Sequence, residues 1–433
     1  MKKLLSILLS IIILCTTLTI FASGETEMTD YTIINPYESV DWDSWDTYKA
    51  CLHIHTNASD GEAPLYDMLM AYYENDYDIV AITDHGVINN GWMNEKKTNG
   101  IFNGFTKVYP LTQEQYDYFT TGVDRDGRGM TDITGGIECN MAVISKTHVN
   151  GYWTTYGQGV WGKENDYATA PAEIEKTGGY SVLNHVGDWT DSEHYTERSS
   201  DDWYISYFAN IFLDNKSCLG MEICNNTDRV TKADKILWDN LLSVVIPQGR
   251  NIWAFADDDS EYLDEVGRSF EMFVLPENTE ENVKSAMING NFFACCKFLK
   301  TPGDVDNFDG DGLVPIVSKI TVDNEKDTIT VEVDESRNCE KIQWISDGKV
   351  ISEDYTLDLN EHKDELGCYV RFQLRGTGGM TYSQAFELQY EGRVEKEVPE
   401  MKTNTPDGNK LSFWYHSIWY ALGQLIKEKL SQL

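Results

Sequence analysis

Positive charge is scarce in this chain of 433 residues. Lys and Arg together number 35, against 71 Asp and Glu, so the formal net charge is −36 at pH 7. Proteins that bind DNA or RNA use clustered Lys and Arg to neutralise phosphates and release counterions, and no such basic stripe is present. The composition argues against a nucleic-acid partner and favours small-molecule ligands, although bound metal ions would reverse the field locally.

Two chemical motifs are also missing. The sequence contains no GxSxG, so nothing indicates the serine nucleophile of an α/β-hydrolase. The eight cysteines that follow Cys15 include no CxxC pair and no disulfide-scaffold rhythm. Their spacing leaves two alternatives open, disulfide bonds and buried free thiols.

The N-terminus has the layout of a secretory signal peptide. Lys2 and Lys3 precede an apolar run that ends at Phe21, and small residues follow up to Gly24. We expect residues 1–24 to be removed and the protein to be exported. Because the apolar run is slightly long, an uncleaved membrane anchor is the alternative.

The sequence HIHTNASDG, followed after a helix by AITDHG, carries the first candidate metal ligands. His53 and His55 alternate along a short strand and therefore project from one face. Asp60 follows at a glycine turn, and His85 follows the next apolar strand, after an amphipathic helix. In a parallel β/α barrel, chemistry collects at the carboxyl ends of strands. These residue types predict half of a metal site; a turn-rich surface with scattered His is the alternative.

Later strand ends supply further candidates. DITGGIECN and KTHVNGYW each contribute one residue, YSVLNHVGDW contributes a His after an apolar run, and NIWAFADDDSEY ends in acidic residues. The candidates at these places are Glu138, His148, His185 and the acidic run from Asp257 to Glu261, in which Asp258 and Asp259 are alternatives.

HIH, ASDG and AITDHG, in this order, resemble the PHP (polymerase and histidinol phosphatase) family of metal-dependent phosphoesterases. The resemblance runs from about Tyr48 to Lys300. It implies an α/β fold built as a distorted (β/α)7 barrel. Family members often carry a Glu at the position of Glu222, which we expect to support the site or the fold and not to bind metal directly.

The resemblance further implies two or three divalent transition-metal ions, Mn, Fe or Zn. It groups the ligands as His53, His55, Glu138 and Asp259; Glu138, His148 and His185; and Asp60, His85 and Glu261. Glu138 would bridge the first two ions, the third group would not touch it, and the implied catalytic residues are Glu138, His185 and Asp259. Glu261 departs from the family pattern, where a His stands, but a Glu oxygen also binds these metals.

The rest of the chain changes character. We expect a PHP-like hydrolase domain over residues 25–302, an acidic linker over 303–312 and a small all-β sandwich over 313–390, because short alternating strands replace helices there. We expect residues 391–433 to form a polar linker and an amphipathic helix. That helix could lie on a membrane surface or dock onto protein, but it is too polar to span a bilayer.

The metal ligands predict hydrolysis of a small phosphoester by metal-activated water. No clear Lys or Arg phosphate clamp adjoins the motifs, since Arg229 and Arg268 are only modest candidates. Hydrolysis of a non-phosphate ester, amide or carbamate is therefore an alternative. A non-catalytic surface binding protein on a PHP-like barrel is a third hypothesis, supported only by Glu261.

Overall fold

The computed structural model describes residues 29–96, 108–141, 146–162, 166–301 and 307–401. The fold is mixed α/β, as expected, and these residues form 21 β-strands, seven α-helices and four 3-10 helices. The predicted signal peptide and the predicted C-terminal amphipathic helix lie outside the described residues.

Strands and helices are numbered in chain order. The strands up to residue 299 are β1 Thr32–Ile34, β2 Asp46–Cys51, β3 Ile79–Val80, β4 Thr131–Asp132, β5 Ile137–Cys139, β6 Val149–Tyr152, β7 Tyr180–Leu183, β8 Cys218–Asn225, β9 Trp253–Asp257, β10 Ser269–Leu275, β11 Phe292–Cys296 and β12 Phe298–Leu299. The later strands are β13 Phe308–Asp309, β14 Val317–Asp323, β15 Thr328–Val333, β16 Cys339–Ser346, β17 Lys349–Ser352, β18 Thr356–Asp358, β19 Tyr369–Gly376, β20 Gly379–Tyr382 and β21 Phe386–Gln389. The α-helices are α1 Leu65–Glu74, α2 Gln113–Thr120, α3 Thr169–Lys176, α4 Val186–Thr190, α5 Asp202–Asp214, α6 Asp234–Val245 and α7 Glu280–Asn289.

Two sheets surround the candidate ligands. β2, β3 and β4 are parallel neighbours in one sheet, and the other has the order β5-β6-β7-β8-β9, with β7, β8 and β9 parallel. Among the described residues, three isolated bridges connect the sheets: Ile54 with Ser260, His85 with Glu138, and Asn89 with Gly136. The strand ends that carry the ligand motifs are therefore adjacent.

Hydrophobic patterning explains the elements next to the site. The helical spacing predicted for α1 is confirmed, because its apolar residues Leu65, Met68, Leu69, Tyr72 and Tyr73 are all buried. β8 lies between two parallel neighbours, and all eight of its residues are buried. Burial on both faces is typical of a strand inside a parallel sheet.

The C-terminal strands continue the sheet of the first half. β11 pairs antiparallel with β20, β20 with β19, and β19 with β16. At the far edge, β1 pairs with β21, and β14, β15 and β18 form a separate three-stranded sheet. The strands between 313 and 390 are antiparallel, as expected. The eleven-stranded sheet contains strands from both sides of the predicted linker at 303–312.

The described structure also shows the state of the cysteines and the length and polarity of the helices. None of the eight described cysteines forms a disulfide bond, and seven of them are buried, so the free-thiol alternative is the one observed. Within the described ranges, no helix is both long enough and apolar enough to cross a membrane.

Candidate metal centre

The strand end that follows β2 presents two imidazoles to one point. His53 Nε2 and His55 Nε2 are 3.1 Å apart, and Asp259 Oδ1 lies 3.1 Å and 3.0 Å from them. Both His are essentially buried, whereas the Asp259 side chain is 23% exposed. Ile54, between the two His, points the other way into the core and is fully buried. Strand alternation thus places the His pair as the sequence predicts.

Glu138, in β5, lies at the centre of the cluster. Its Oε1 is 3.3 Å from His53 Nε2, 3.2 Å from His148 Nδ1 and 3.4 Å from His185 Nε2. Its Oε2 is 3.2 Å from His55 Nε2 and 2.9 Å from His85 Nδ1. One fully buried carboxylate therefore contacts five imidazoles.

Close backbone packing brings Glu138 to this position. A Cβ on Gly136 would lie 2.4 Å from the carbonyl oxygen of Ile82, so only glycine lets β5 approach the end of β3 so closely. Glu138 N–H then donates to the Thr83 carbonyl at 3.0 Å. Asn184 Nδ2 donates to Glu138 Oε1 at 2.8 Å and fixes the carboxylate orientation. The paired glycines are visible in the motif DITGGIECN, whereas no local sequence pattern indicates this role for Asn184.

Asp60 forms the exposed side of the centre. Its two carboxylate oxygens lie 3.3 Å from His55 Nδ1 and 3.3 Å from His85 Nε2, and its side chain is 48% exposed. The turn that carries it is held by Asp84, whose Oδ1 accepts from Thr56 N at 2.7 Å and from Ser59 Oγ at 2.9 Å. Asp84 therefore orients the ligand turn, a role that the sequence analysis missed.

The third ligand group differs from the expected one. His85 does contact Asp60, but it also contacts Glu138 at 2.9 Å, so this group is not separate from the central carboxylate as expected. Glu261 forms no ion pair with a candidate His in the described part of the chain. Its pKa is raised to about 7 by burial and by the charges of Asp60 and Asp259.

The register of the acidic run is settled by hydrogen bonds. Asp258 accepts backbone N–H donors from Gly267, Arg268 and Ser269 at 2.7–2.8 Å, together with the Tyr77 hydroxyl at 2.9 Å. Asp258 is thus a structural anchor. Asp259 is the residue that faces the imidazoles.

Electrostatics favour a cation at this centre. Burial by itself would lower the pKa of His53, but the carboxylates of Asp259, Glu138 and Glu222 outweigh burial and hold it well above its usual range. Burial opposes ionisation of Glu138 and Asp259 as well, yet the neighbouring imidazoles hold the pKa of both carboxyls well below their usual range. The carboxylates are therefore ionised and paired with protonated imidazoles, and a bound metal ion would displace those protons and take over the charge balance.

The donor set fits transition-metal ions. Three groups have ligand atoms mutually within 4.8 Å: His53, His55 and Asp259; His55, His85 and Glu138; and Glu138, His148 and His185. Glu138 Oε2 and His85 Nδ1 are buried without a hydrogen-bond partner of good geometry. His53 Nδ1 lies 2.7 Å from Glu222 Oε1. When the ring is neutral and Nδ1 carries the proton, the lone pair of Nε2 faces His55. A bound cation satisfies these atoms, and imidazole with carboxylate suits Mn, Fe and Zn.

Comparisons with known proteins found distant structural likeness only. No protein-family model and no curated protein matches the chain. A crystal structure of a two-domain protein containing a predicted PHP-like metal-dependent phosphoesterase from Bacteroides vulgatus is similar, with 13% identity, a TM-score of 0.41, and coverage of 84% of this chain and 94% of that chain. The lesion-specific endonuclease PfuEndoQ from Pyrococcus furiosus is also similar, with 11% identity, a TM-score of 0.33 and coverage of 56% of each chain. Since both TM-scores lie below 0.5, we argue function from the site itself.

Proposed function

We propose that this chain is a metal-dependent hydrolase of the PHP type, acting on small phosphoesters. One observation carries the proposal: the buried carboxylate of Glu138 lies within 3.4 Å of five imidazoles that come from four different strand ends. Such convergence of metal-ligand types is not needed for folding. It fits a multinuclear centre with two or three Mn, Fe or Zn ions.

Cations bound here would supply Lewis acidity and lower the pKa of a coordinated water. The protein supplies position and access. Glu138 offers one oxygen to each side of the cluster, because Oε1 faces His148 and His185 while Oε2 faces His55 and His85. We propose Glu138, His185 and Asp259 as the residues closest to the reacting group.

Substrate would enter from the side that is open to solvent. Asp60 is 48% exposed, Asp259 23% and His85 20%, whereas His53 is fully buried. The exposed flank therefore lies between the Asp60 turn and the end of β9. Its carboxylates repel a polyanion, in keeping with the net charge of −36, so we propose small phosphomonoesters or diesters ahead of nucleic acid.

A second candidate reaction is hydrolysis of a carboxylic ester, amide or carbamate. It is favoured by one observation: among the described residues, no Lys or Arg side chain forms an ion pair with a candidate ligand. Phosphoryl groups are commonly held by such cations. If metal ions alone bind the substrate oxygens, a carbonyl substrate would be bound as well.

Metal analysis and paired variants test the metal centre. We expect purified wild-type protein to contain two or three transition-metal ions per chain and to hydrolyse aryl phosphates. His53→Ala with His55→Ala should lose both metal and activity with near-normal circular dichroism. His194→Ala is the matched control, because that imidazole is 66% exposed and its ion-pair partner among the described residues is Asp191, which is not a candidate ligand. A metal-free wild type would favour the non-catalytic binding protein, whereas full activity in the double variant would refute the assignment of His53 and His55 as ligands.

A substrate screen tests the reaction class. Aryl phosphate, bis-aryl phosphate, aryl carboxylic ester and single-stranded DNA should be compared at equal concentration. We expect one of the two phosphates to be preferred. Preference for the carboxylic ester would support the second candidate, and preference for DNA would contradict the argument from charge.

We also propose export, supported by the basic, apolar and small-residue succession of residues 1–24. The candidate membrane or protein contact through the C-terminal amphipathic segment is a further proposal. N-terminal sequencing of protein recovered from the producing cells would show removal of the leader, whereas an intact Met1 would favour an anchor.

A further inference from the structure

β8 contains an irregularity beside the candidate metal centre. Its parallel pairing with β9 shifts register between Glu222 and Cys224, so one extra residue is inserted. In a regular strand Glu222 and Asn225 would point to opposite faces, because side chains alternate. The bulge cancels that alternation, and Asn225 Nδ2 donates to Glu222 Oε2 at 3.0 Å. Both side chains thus face the metal centre.

Glu222 joins two ligands that belong to different groups. Its Oε1 lies 2.7 Å from His53 Nδ1, and its Oε2 accepts from the backbone N–H of His185 at 2.7 Å. Glu222 is fully buried, so these hydrogen bonds are shielded from water. A charged acceptor in such surroundings forms strong hydrogen bonds.

The tethered ligands have unusual backbone conformations. His185 has φ 27° and ψ 51°, and Asp259 has φ 46°. Non-glycine residues rarely adopt this left-handed region and keep it only where the surroundings enforce it. Glu222 binds His185 N–H, and Asn225 Nδ2 donates to Asp259 Oδ2 at 3.1 Å. The bulged strand therefore contacts both strained ligands.

We propose that Glu222 and Asn225 are a positioning pair for the metal centre. Glu222 accepts the Nδ1 proton of His53, which leaves Nε2 free toward the metal, and it also holds His185 in its strained backbone conformation. Asn225 orients the Asp259 carboxylate. The inference rests on the proposed metal centre, and neither residue binds metal itself.

Glu222→Gln is the informative substitution because it keeps size and shape. A carboxylate offers two acceptor oxygens, one for His53 and one for His185, whereas an amide offers one acceptor and one donor. The amide NH2 must then face either the His185 N–H or the Nδ1–H of His53. At least one tether is lost, so the ligand group that contains His53 or the ligand group that contains His185 weakens.

The test is titration of metal-free full-length protein with Zn²⁺ alone and with Mn²⁺ alone, followed calorimetrically. Loss of an outer hydrogen bond to a ligand typically lowers metal affinity by about 10- to 100-fold, and we expect this for Glu222→Gln. Glu271→Gln is the matched control: Glu271 is also fully buried on a neighbouring strand, but it accepts from Ala256 N and contacts no candidate ligand. Its affinity should match that of wild type.

Asn225→Ala separates positioning from general stability. It removes the donor to Asp259 Oδ2 and the donor to Glu222 Oε2, while the backbone N–H of residue 225 still donates to Thr231 Oγ1. Because Glu222 Oε2 still accepts from His185 N–H, we expect the larger loss of affinity at the site that contains Asp259 and a smaller loss at the His148 and His185 site. This variant also keeps the inference testable if Glu222→Gln does not fold, which circular dichroism would reveal.

The outcomes separate the two proposals. If wild type binds Zn²⁺ and Mn²⁺ but Glu222→Gln and Asn225→Ala bind equally well, the positioning pair is wrong and the metal centre stands. Equal weakening by Glu271→Gln would also overturn it, since a general effect of replacing a buried carboxyl group would then be the cause. If wild type binds neither ion, the proposed function itself fails.

Discussion

Arg371 and Asp239 provide the sharpest test of how the C-terminal strands are attached. Arg371 Nε and Nη2, in β19, each donate at 2.7 Å to a different oxygen of Asp239, in α6. The two side chains are only 4% and 9% exposed. The Tyr369 hydroxyl donates to the same carboxylate at 2.8 Å. This buried bidentate pair links β19 to a helix of the first half of the chain.

Removal of one partner should be costly. Arg371→Met leaves the Asp239 carboxylate buried with the Tyr369 hydroxyl as its remaining side-chain donor, and breaking a buried pair in this way costs about 3–5 kcal/mol. Asp239→Asn leaves a buried guanidinium with a single good acceptor and should cost a similar amount. Because the double variant leaves neither charge unpaired, its cost should fall short of the sum by about 2 kcal/mol.

The free energy of unfolding in guanidinium chloride, measured for the four proteins, gives this coupling directly. Arg375→Met is the control, because Arg375 lies on the same strand and its guanidinium packs 4.8 Å from the Phe308 ring centroid; such a contact is worth about 0.5–1 kcal/mol. We also expect a single transition, since β11 and β20 share a sheet. A loss below about 1 kcal/mol for Arg371→Met, or additive single effects, would refute the reasoning.

Three further predictions concern pH, packing and the third metal group. Burial, reinforced by Glu280, raises the pKa of Asp132 to about 7 against the opposing effects of Trp92 N–H and Lys96. Because the folded-state pKa of Asp132 lies above the usual value, wild type has its full stability below about pH 4 and loses stability as the pH rises to about 7. Asn at position 132 does not ionise, so the free energy of unfolding of Asp132→Asn should gain up to about 4 kcal/mol on that of wild type over this interval. A difference in unfolding free energy that does not change with pH would contradict this. Gly220→Ala should destabilise by about 3 kcal/mol, since the new Cβ would lie 2.0 Å from a β9 carbonyl oxygen; an unchanged denaturation midpoint would refute the packing. Glu261→Ala should lower metal occupancy only at the group that contains Asp60, while Glu261→His should retain or raise it, and an unchanged metal count in both would exclude Glu261 as a ligand.

Much of the site follows from local pattern. His53 and His55 were predicted to share a face by strand alternation, and Glu138 oxygens contact both. Asp60 was placed at a glycine turn, and its oxygens contact His55 and His85. These positions can be read from the sequence because each depends on a few consecutive residues whose periodicity is regular.

Other features depend on contacts that no local pattern contains. The choice between Asp258 and Asp259 is decided by backbone N–H groups around residue 268 that fold back onto Asp258. The contact of His85 with Glu138 arises from an isolated bridge between two sheets. The join of the C-terminal strands to the first half depends on pairing of β11 with β20, more than 80 residues later in the sequence. Local sequence patterns therefore predict the strands and the candidate ligands, but not which distant residues or strands they contact.

At the bulge in β8, the positions of two side chains depart from the strand periodicity that the sequence predicts. A regular strand would bury Glu222 on one face and turn Asn225 away, so alternation alone assigns only one of them to the metal centre. A buried carboxylate is unfavourable for folding unless its oxygens accept hydrogen bonds. Glu222 has these hydrogen bonds only because of the register shift, the two contacts with ligand residues and the neighbouring Asn225 amide. The presence of Glu222 is explained if the bulge in β8 serves to position His53 and His185. Departure from the local rule is therefore itself an argument for function at this site.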